Sequence, residues 1–235
     1  MAIRPVFVIK DEIPFYKEEL IDFKFYNGFA DIQKKKSVSS LHKAFLEKKP
    51  CSKILEVSSK SENELGIKLS AFNLMITTKS NKKFTVEVAF QSSKVFEKGG
   101  PYRDILEMTS KEAKKDRRLK ESGSLQYFYY FGKKFPLNPT NYFYNWLYVN
   151  TLNINKELGD EVMKYNSFTD IEFNPQKSLN CQARAVAVYV SLRKQGLLEE
   201  ALKNKESFLE IVYGQKEENI PSYGDVKQLN MLDKL

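Results

Sequence analysis

Cysteine, histidine and tryptophan are scarce in this 235-residue chain, which has two, one and one of them. Cys51 and Cys181 lie far apart and His42 stands alone, which excludes the common Cys/His zinc frameworks and gives no ground for a disulfide scaffold. No DxD-like cluster points to a carboxylate-held magnesium, so neither a metal nor a redox cofactor is expected. Long apolar runs are missing too. The most apolar stretch, Ala183 to Leu192, contains Arg184 and is far too short to span a bilayer. The opening MAIRPVFVIKDEIPFYKEE has no continuous apolar segment ending at a small-residue cleavage site. Neither a secretory signal nor a membrane anchor is expected, and the expected location is the cytoplasm. GxGxxG, GxxxxGK[ST] and GxSxG are all absent, which removes the Rossmann, P-loop and α/β-hydrolase readings.

What is present suits a packed core: 42% hydrophobic residues, with 17 Phe and 13 Tyr. Lys and Arg number 38 against 30 Asp and Glu, a formal charge of 38 − 30 = +8 that attracts phosphates. Pro5 to Ala30 reads as strand and loop. Ile32 to Lys48 places Val38, Leu41 and Phe45 at helical spacing after the basic run Lys34, Lys35, Lys36, and Pro50 closes it. Ser52 to Val57 alternates like a short strand. Leu69 to Thr77 and Phe84 to Val86 read as strand pieces around the turn Lys79 to Lys82. Glu87 to Phe96 suits a helix. Tyr102 to Glu121 is a charged helical region, Leu125 to Tyr130 is β-prone, Asn141 to Leu152 is an aromatic helix, and Asn180 to Lys194 is a buried core helix ended by Gly196. The whole predicts a mostly helical α+β single domain with a small β-sheet. An N-terminal extension (1–50) is packed on a main unit (51–215), followed by a charged tail (216–235).

Several residues could carry chemistry. Glu87 opens a predicted helix, where the macrodipole favours a carboxylate, and beside Phe84 and Phe90 it can serve as general acid or base; spacing alone favours the ordinary reading, a helix-starting glutamate making a capping bond. Gln91 and Lys94 recur on its face, and Lys94 could meet a phosphate, attack a sugar carbon, or simply be solvated. Asp170 and Glu172 sit on a loop before the core helix, placed for a pocket or for ordinary turn chemistry. Asn180 is an N-cap, a ligand contact, or both. Trp146 could stack a base or fill the core. His42 reads as a surface or capping residue, and Cys181, at a helix start, as a thiol with a lowered pKa.

Taken in order, these segments resemble the NADAR (YbiA-like) superfamily. ILEVSSKSENELGIKLSAF (54–72) is similar to its opening strand and S-N-F turn. KKFTVEVAFQSSKVF (82–96) is similar to W-P-[ST]-x-E-H-x-F-Q-A-x-K-F, with Glu87, Gln91 and Lys94 in register. PYRDILEMTSKEAKKDRRLK (101–120) resembles the next helix pair, FYNWLYVNTL the tryptophan helix, and FTDIEFNPQKSLNCQARAVAVYVSLR (168–193) the W-G-D-G…K-x-N-x-x-G loop and helix. Val88, Ala89 and Ile171 depart from the pattern, as do Phe168 and Thr169, which stand where it has Trp-Gly. FYNGFADIQKKKSVSSLHKAF (25–45) and the 168–184 phrase resemble one branch, the NADAR antitoxins paired with DarT-type toxins that ADP-ribosylate guanine in DNA.

The resemblance implies an N-glycosidase that removes ADP-ribose from guanine in single-stranded DNA. Glu87, Lys94, Asp170 and Lys36 would be catalytic, with Lys94, Lys36 and Lys60 as candidate Schiff-base lysines. Lys60, Ser70, Asn73, Gln91, Trp146, Lys177 and Asn180 would bind the ligand. Lys34, Lys35, Lys114, Lys115, Arg117 and Arg118 would follow the DNA backbone. The alternatives are a YbiA-like N-glycosidase acting on a free metabolite such as a riboflavin-pathway intermediate, and a non-catalytic module that binds ADP-ribose, nucleic acid or a toxin.

Overall fold

The computed structural model describes residues 1–28 and 30–216. The chain opens with two long strands, β1 (Ala2–Ile9) and β2 (Tyr16–Phe23), paired antiparallel, and then the helix α1 (Asp31–Lys48). Strand β3 (Ile54–Glu56) and the short helix α2 (Glu64–Lys68) lead into the hairpin β4 (Met75–Thr77) and β5 (Lys83–Thr85). Next come α3 (Val86–Ser92), β6 (Lys94–Phe96), a 3-10 turn (Arg103–Glu107), α4 (Ser110–Lys115) and α5 (Arg118–Glu121). The hairpin β7 (Leu125–Tyr130) and β8 (Lys133–Phe135) precedes α6 (Tyr142–Ile154) and α7 (Lys156–Val162). Strand β9 (Ser167–Thr169) and the helices α8 (Gln182–Lys194), α9 (Leu198–Leu202) and α10 (Lys205–Tyr213) complete the described chain. None of the described helices is long and apolar enough to cross a membrane.

The α+β class expected from the sequence is the class observed, though with three small sheets: β2-β1-β9-β3, β4-β5 and β6-β7-β8. In the largest, β9 lies between β1, antiparallel, and β3, parallel. Residues 1–50 therefore supply two strands of this sheet as well as α1. Successive residues of a strand point to opposite faces, and here each face has its own cover. Val6, Ile21 and Phe23 meet Val38, Leu41 and Phe45 of α1, whereas Phe7 joins the main core built around α8 and α6. Of the eleven residues of α8 from Gln182 to Leu192, ten are buried, and Arg184 is the exception. The helix ends at Gly196 as expected: the Gly196 and Leu197 amides return to the Arg193 and Leu192 carbonyls.

Local corrections bear on the site. Leu69 to Leu74 is not strand but tight turns, because the Asn73 and Leu74 amides both return to the Ser70 carbonyl; only Met75–Thr77 is extended. Helix α3 stops at Ser92 rather than running to Phe96. The hydroxyls of Ser92 and Ser93 both take the Ala89 carbonyl, and local bonds of this kind compete with the helical ladder. Lys94 thus stands on strand β6, paired with Phe128. Helix α8 is capped by Cys181, not Asn180. The expected tail falls, apart from Lys216, outside the described residues.

Candidate active site

A cleft of about 1110 Å³ runs between α3, the turn at 70–73, α4 and the loop after β9. Its base is the start of α3. Thr85 accepts the Val88 amide through its hydroxyl oxygen, and the Glu87 amide donates to the Ala71 carbonyl at 2.9 Å. That clips the helix to the turn. Gln182, at the head of α8, accepts the Ala71 amide at 2.7 Å, so the core helix holds the same turn from behind. Ser110 donates to the Phe72 carbonyl and receives the Thr85 hydroxyl, which ties in α4.

Glu87 is buried, and Gln91 donates to its Oε1 at 2.9 Å, the i, i+4 pairing legible in the sequence. Gln91 Oε1 is buried without a hydrogen-bond partner among the described residues. Lys94 lies over the Phe90 ring at 5.0 Å; burial brings its pKa down to about 8, partly opposed by the charge of Glu87. Asp170 faces the same space. Burial, and then the neighbouring Glu56, raise its carboxyl well above the usual range, favouring the protonated form. Tyr144, from α6, also lines the cleft; burial, foremost, and then the charge of Glu87 keep it a neutral phenol. The basic side comprises Lys83, Lys111 and Lys114, the last over the Phe72 ring at 5.1 Å, and Lys60, which pairs with Asp31 at 2.7 Å.

Behind the Asp170 loop is a buried acid that sequence reasoning missed. Glu56 accepts the Ser58 hydroxyl (2.6 Å), the Thr169 hydroxyl (2.6 Å) and the Ile171 amide (2.8 Å). Burial raises its pKa. Thr169 also meets His42 Nε2 at 2.8 Å. His42 is therefore part of an internal network rather than a surface residue, and burial lowers its pKa to about 4. The available signals were weak: an acid inside the apolar ILEV run, and a histidine one position beyond Leu41 on α1.

Of the residues expected at the site, Glu87, Lys94, Asp170, Lys60, Ser70, Asn73, Gln91, Asn180 and Lys114 line this one cleft. Others do not. Lys36 is exposed on α1; a helix turns roughly 100° per residue, so it points well away from Lys34, which pairs with Glu172 at the cleft edge. Trp146 is a core residue, packed on Phe135 and Tyr130 with Lys133 above its ring. Lys177 is exposed on the turn closed by its amide and the Asn174 carbonyl, whereas Ser178 and Asn180 beyond it reach the cleft. Arg118 is held by Asp104 and Asp116 over the Tyr102 ring, so its guanidinium is already engaged; Arg117 pairs with Glu121. Lys35 and Lys115 are exposed. Cys181 is buried, and burial raises its pKa, the reverse of the helix-start expectation.

Fold and cleft define a single-domain α+β protein whose cleft, lined by carboxyls and lysines, has room for a nucleotide-sized ligand. The model of the DarT1-associated NADAR antitoxins matches residues 2–221, and the chain belongs to that family. The match extends the likeness read from Ile54 to Arg193 across β1, β2 and α1. No curated protein shows significant similarity to the chain.

Proposed function

We propose that this antitoxin is a hydrolase that removes ADP-ribose from guanine bases in single-stranded DNA. The observation that carries the reading is the meeting of Glu87, Asp170 and Lys94 in one cleft, with Asp170 biased to its protonated form. Cleavage of an N-glycosidic bond needs one group to protonate the departing nitrogen and another to take a proton from water. Asp170, whose burial favours the protonated form, donates a proton to the exocyclic nitrogen of guanine, which receives the electron pair of the breaking bond to ribose C1″. Water adds to C1″ and gives its proton to Glu87, whose Oε1 is oriented by Gln91. The products are free ADP-ribose and unmodified guanine. Lys83, Lys111 and Lys114 supply positive charge for the diphosphate.

Lys94 is also the lysine best suited to a covalent route through the opened ribose. Roughly a tenth of its amines are unprotonated at pH 7, given a pKa about 8. Lys60 is held by Asp31, and Lys36 is outside the cleft.

The test is release of ADP-ribose from a single-stranded oligonucleotide bearing ADP-ribosylated guanine. Wild type should release it, and Glu87→Gln should be slower by about 10²- to 10⁴-fold, the range for loss of a general acid or base. A Glu87→Gln protein of wild-type rate would remove Glu87 from the chemistry. No release by wild type would sink the proposed reaction.

A further inference from the structure

Beside the cleft lies a second, smaller cavity of about 290 Å³, walled by Tyr129, Tyr130, Phe131, Arg103 and Pro101. The two share Leu106. They are also joined by aromatic rings: Phe84 of the cleft stacks on Phe131 at 6.4 Å, with 14° between the planes. Phe131 in turn meets Tyr130 edge-on at 4.7 Å.

Local stability does not account for Phe131. It is 63% exposed and forms, with Gly132, the two-residue tip between β7 and β8. Both tip residues have positive φ, 42° and 83°, as a type I′ turn requires. Asn-Gly suits that turn; a bulky aromatic at its first position is strained and gains little burial in return. Arg103 is exposed on the cavity wall and makes no ion pair among the described residues. Lys133 and Lys134 follow directly on β8, above the rings of Trp146 and Tyr127. Flat rings for stacking and cations for a backbone, contiguous with a reaction cleft, are the elements with which proteins hold an unpaired strand.

We propose that the Phe131 tip and its cavity receive the unpaired nucleobase adjacent to the modified guanine, with Arg103 on the phosphate joining the two nucleotides. The proposal rests on the single-stranded DNA reading above. It makes the protein a reader of strand context, not only of the ADP-ribosyl group.

The experiment compares two ADP-ribosylated oligonucleotides, one normal and one with abasic spacers on both sides of the modified guanine. In wild type the spacers should raise KM about tenfold, the scale of one lost base–aromatic stack. Phe131→Ala should show that same rise on the normal strand and no further rise with spacers, whereas Phe131→Trp should behave as wild type. A spacer effect undiminished in Phe131→Ala, or an unchanged KM for that variant on the normal strand, overturns the proposal. If wild type releases no ADP-ribose, the reaction fails on its own account. Fluorescence anisotropy with the unmodified strands then decides: a spacer-dependent Kd that Phe131→Ala abolishes supports the base site, and a Kd indifferent to the spacers overturns it.

Discussion

Thr169 has a single hydroxyl proton, and its oxygen lies within hydrogen-bond reach of both Glu56 and His42. Glu56 is the acceptor that needs the proton, so His42 must donate to Thr169 from Nε2–H, as a neutral imidazole. The lowered pKa of His42, about 4 against 6.5, agrees. The sign of the linkage follows. The unfolded chain takes up a proton below pH 6.5 that the folded chain refuses until about pH 4, so His42 costs stability progressively as pH falls through that window. The full loss is about 3 kcal/mol, from 1.36 kcal/mol per pKa unit. Glu56 and Asp170, both raised, act in the opposite sense, so the readout is a difference. Urea midpoints of wild type and His42→Gln should diverge between pH 6.5 and 4, with the variant falling less. Parallel curves would mean that His42 does not titrate in this way.

At the scale of elements, backbone proximity fixes one wall of the cleft. A Cβ on Gly66 of α2 would fall 2.0 Å from the Glu56 carbonyl oxygen and 2.3 Å from Ser61 Oγ. Only glycine lets α2 sit so close to β3, and the intervening Ser58, Ser59 and Lys60 form the wall. Gly66→Ala should cost about 3 kcal/mol, the upper end for overpacking. That corresponds to a Tm lower by about 6–12 °C for a chain of this size. An unchanged Tm would show that the contact yields freely. Elements with a strong period were legible in the sequence: the Val38, Leu41, Phe45 stripe of α1, the apolar α8, and Glu87 with Gln91 one helical turn apart. What was not legible depended on contacts between distant segments. The two serines that end α3 and put Lys94 on a strand look like ordinary helix surface. Glu56 reads as the exposed position of an alternating strand, and only the β9 pairing buries it. Trp146 and Tyr144 sit on one aromatic helix, and no spacing rule says that the second lines the cleft while the first fills the core.

For the whole molecule, if the protein binds single-stranded DNA as proposed, the net charge of +8 and the basic side of the cleft predict binding that weakens with salt. With about three phosphates engaged, the slope of log K against log salt should be about −2, since each contact with a single strand contributes about −0.7. Lys114→Ala with Lys115→Ala should flatten the slope by about 1.4 if both touch phosphate. Anisotropy titrations across a salt series measure both values, and a flat wild-type slope would exclude backbone contact as a source of affinity.

Strand β9 lies between β1 and β3, and Asp170 follows it directly. During synthesis, the strands that flank it wait more than a hundred residues for the one that joins them, and α8 comes later still. At elongation rates of about 5–20 residues per second, the stretch from Ala2 to Lys194 takes about ten to forty seconds to make. The Asp170 side of the cleft is therefore assembled late in synthesis, well after both flanking strands have been made.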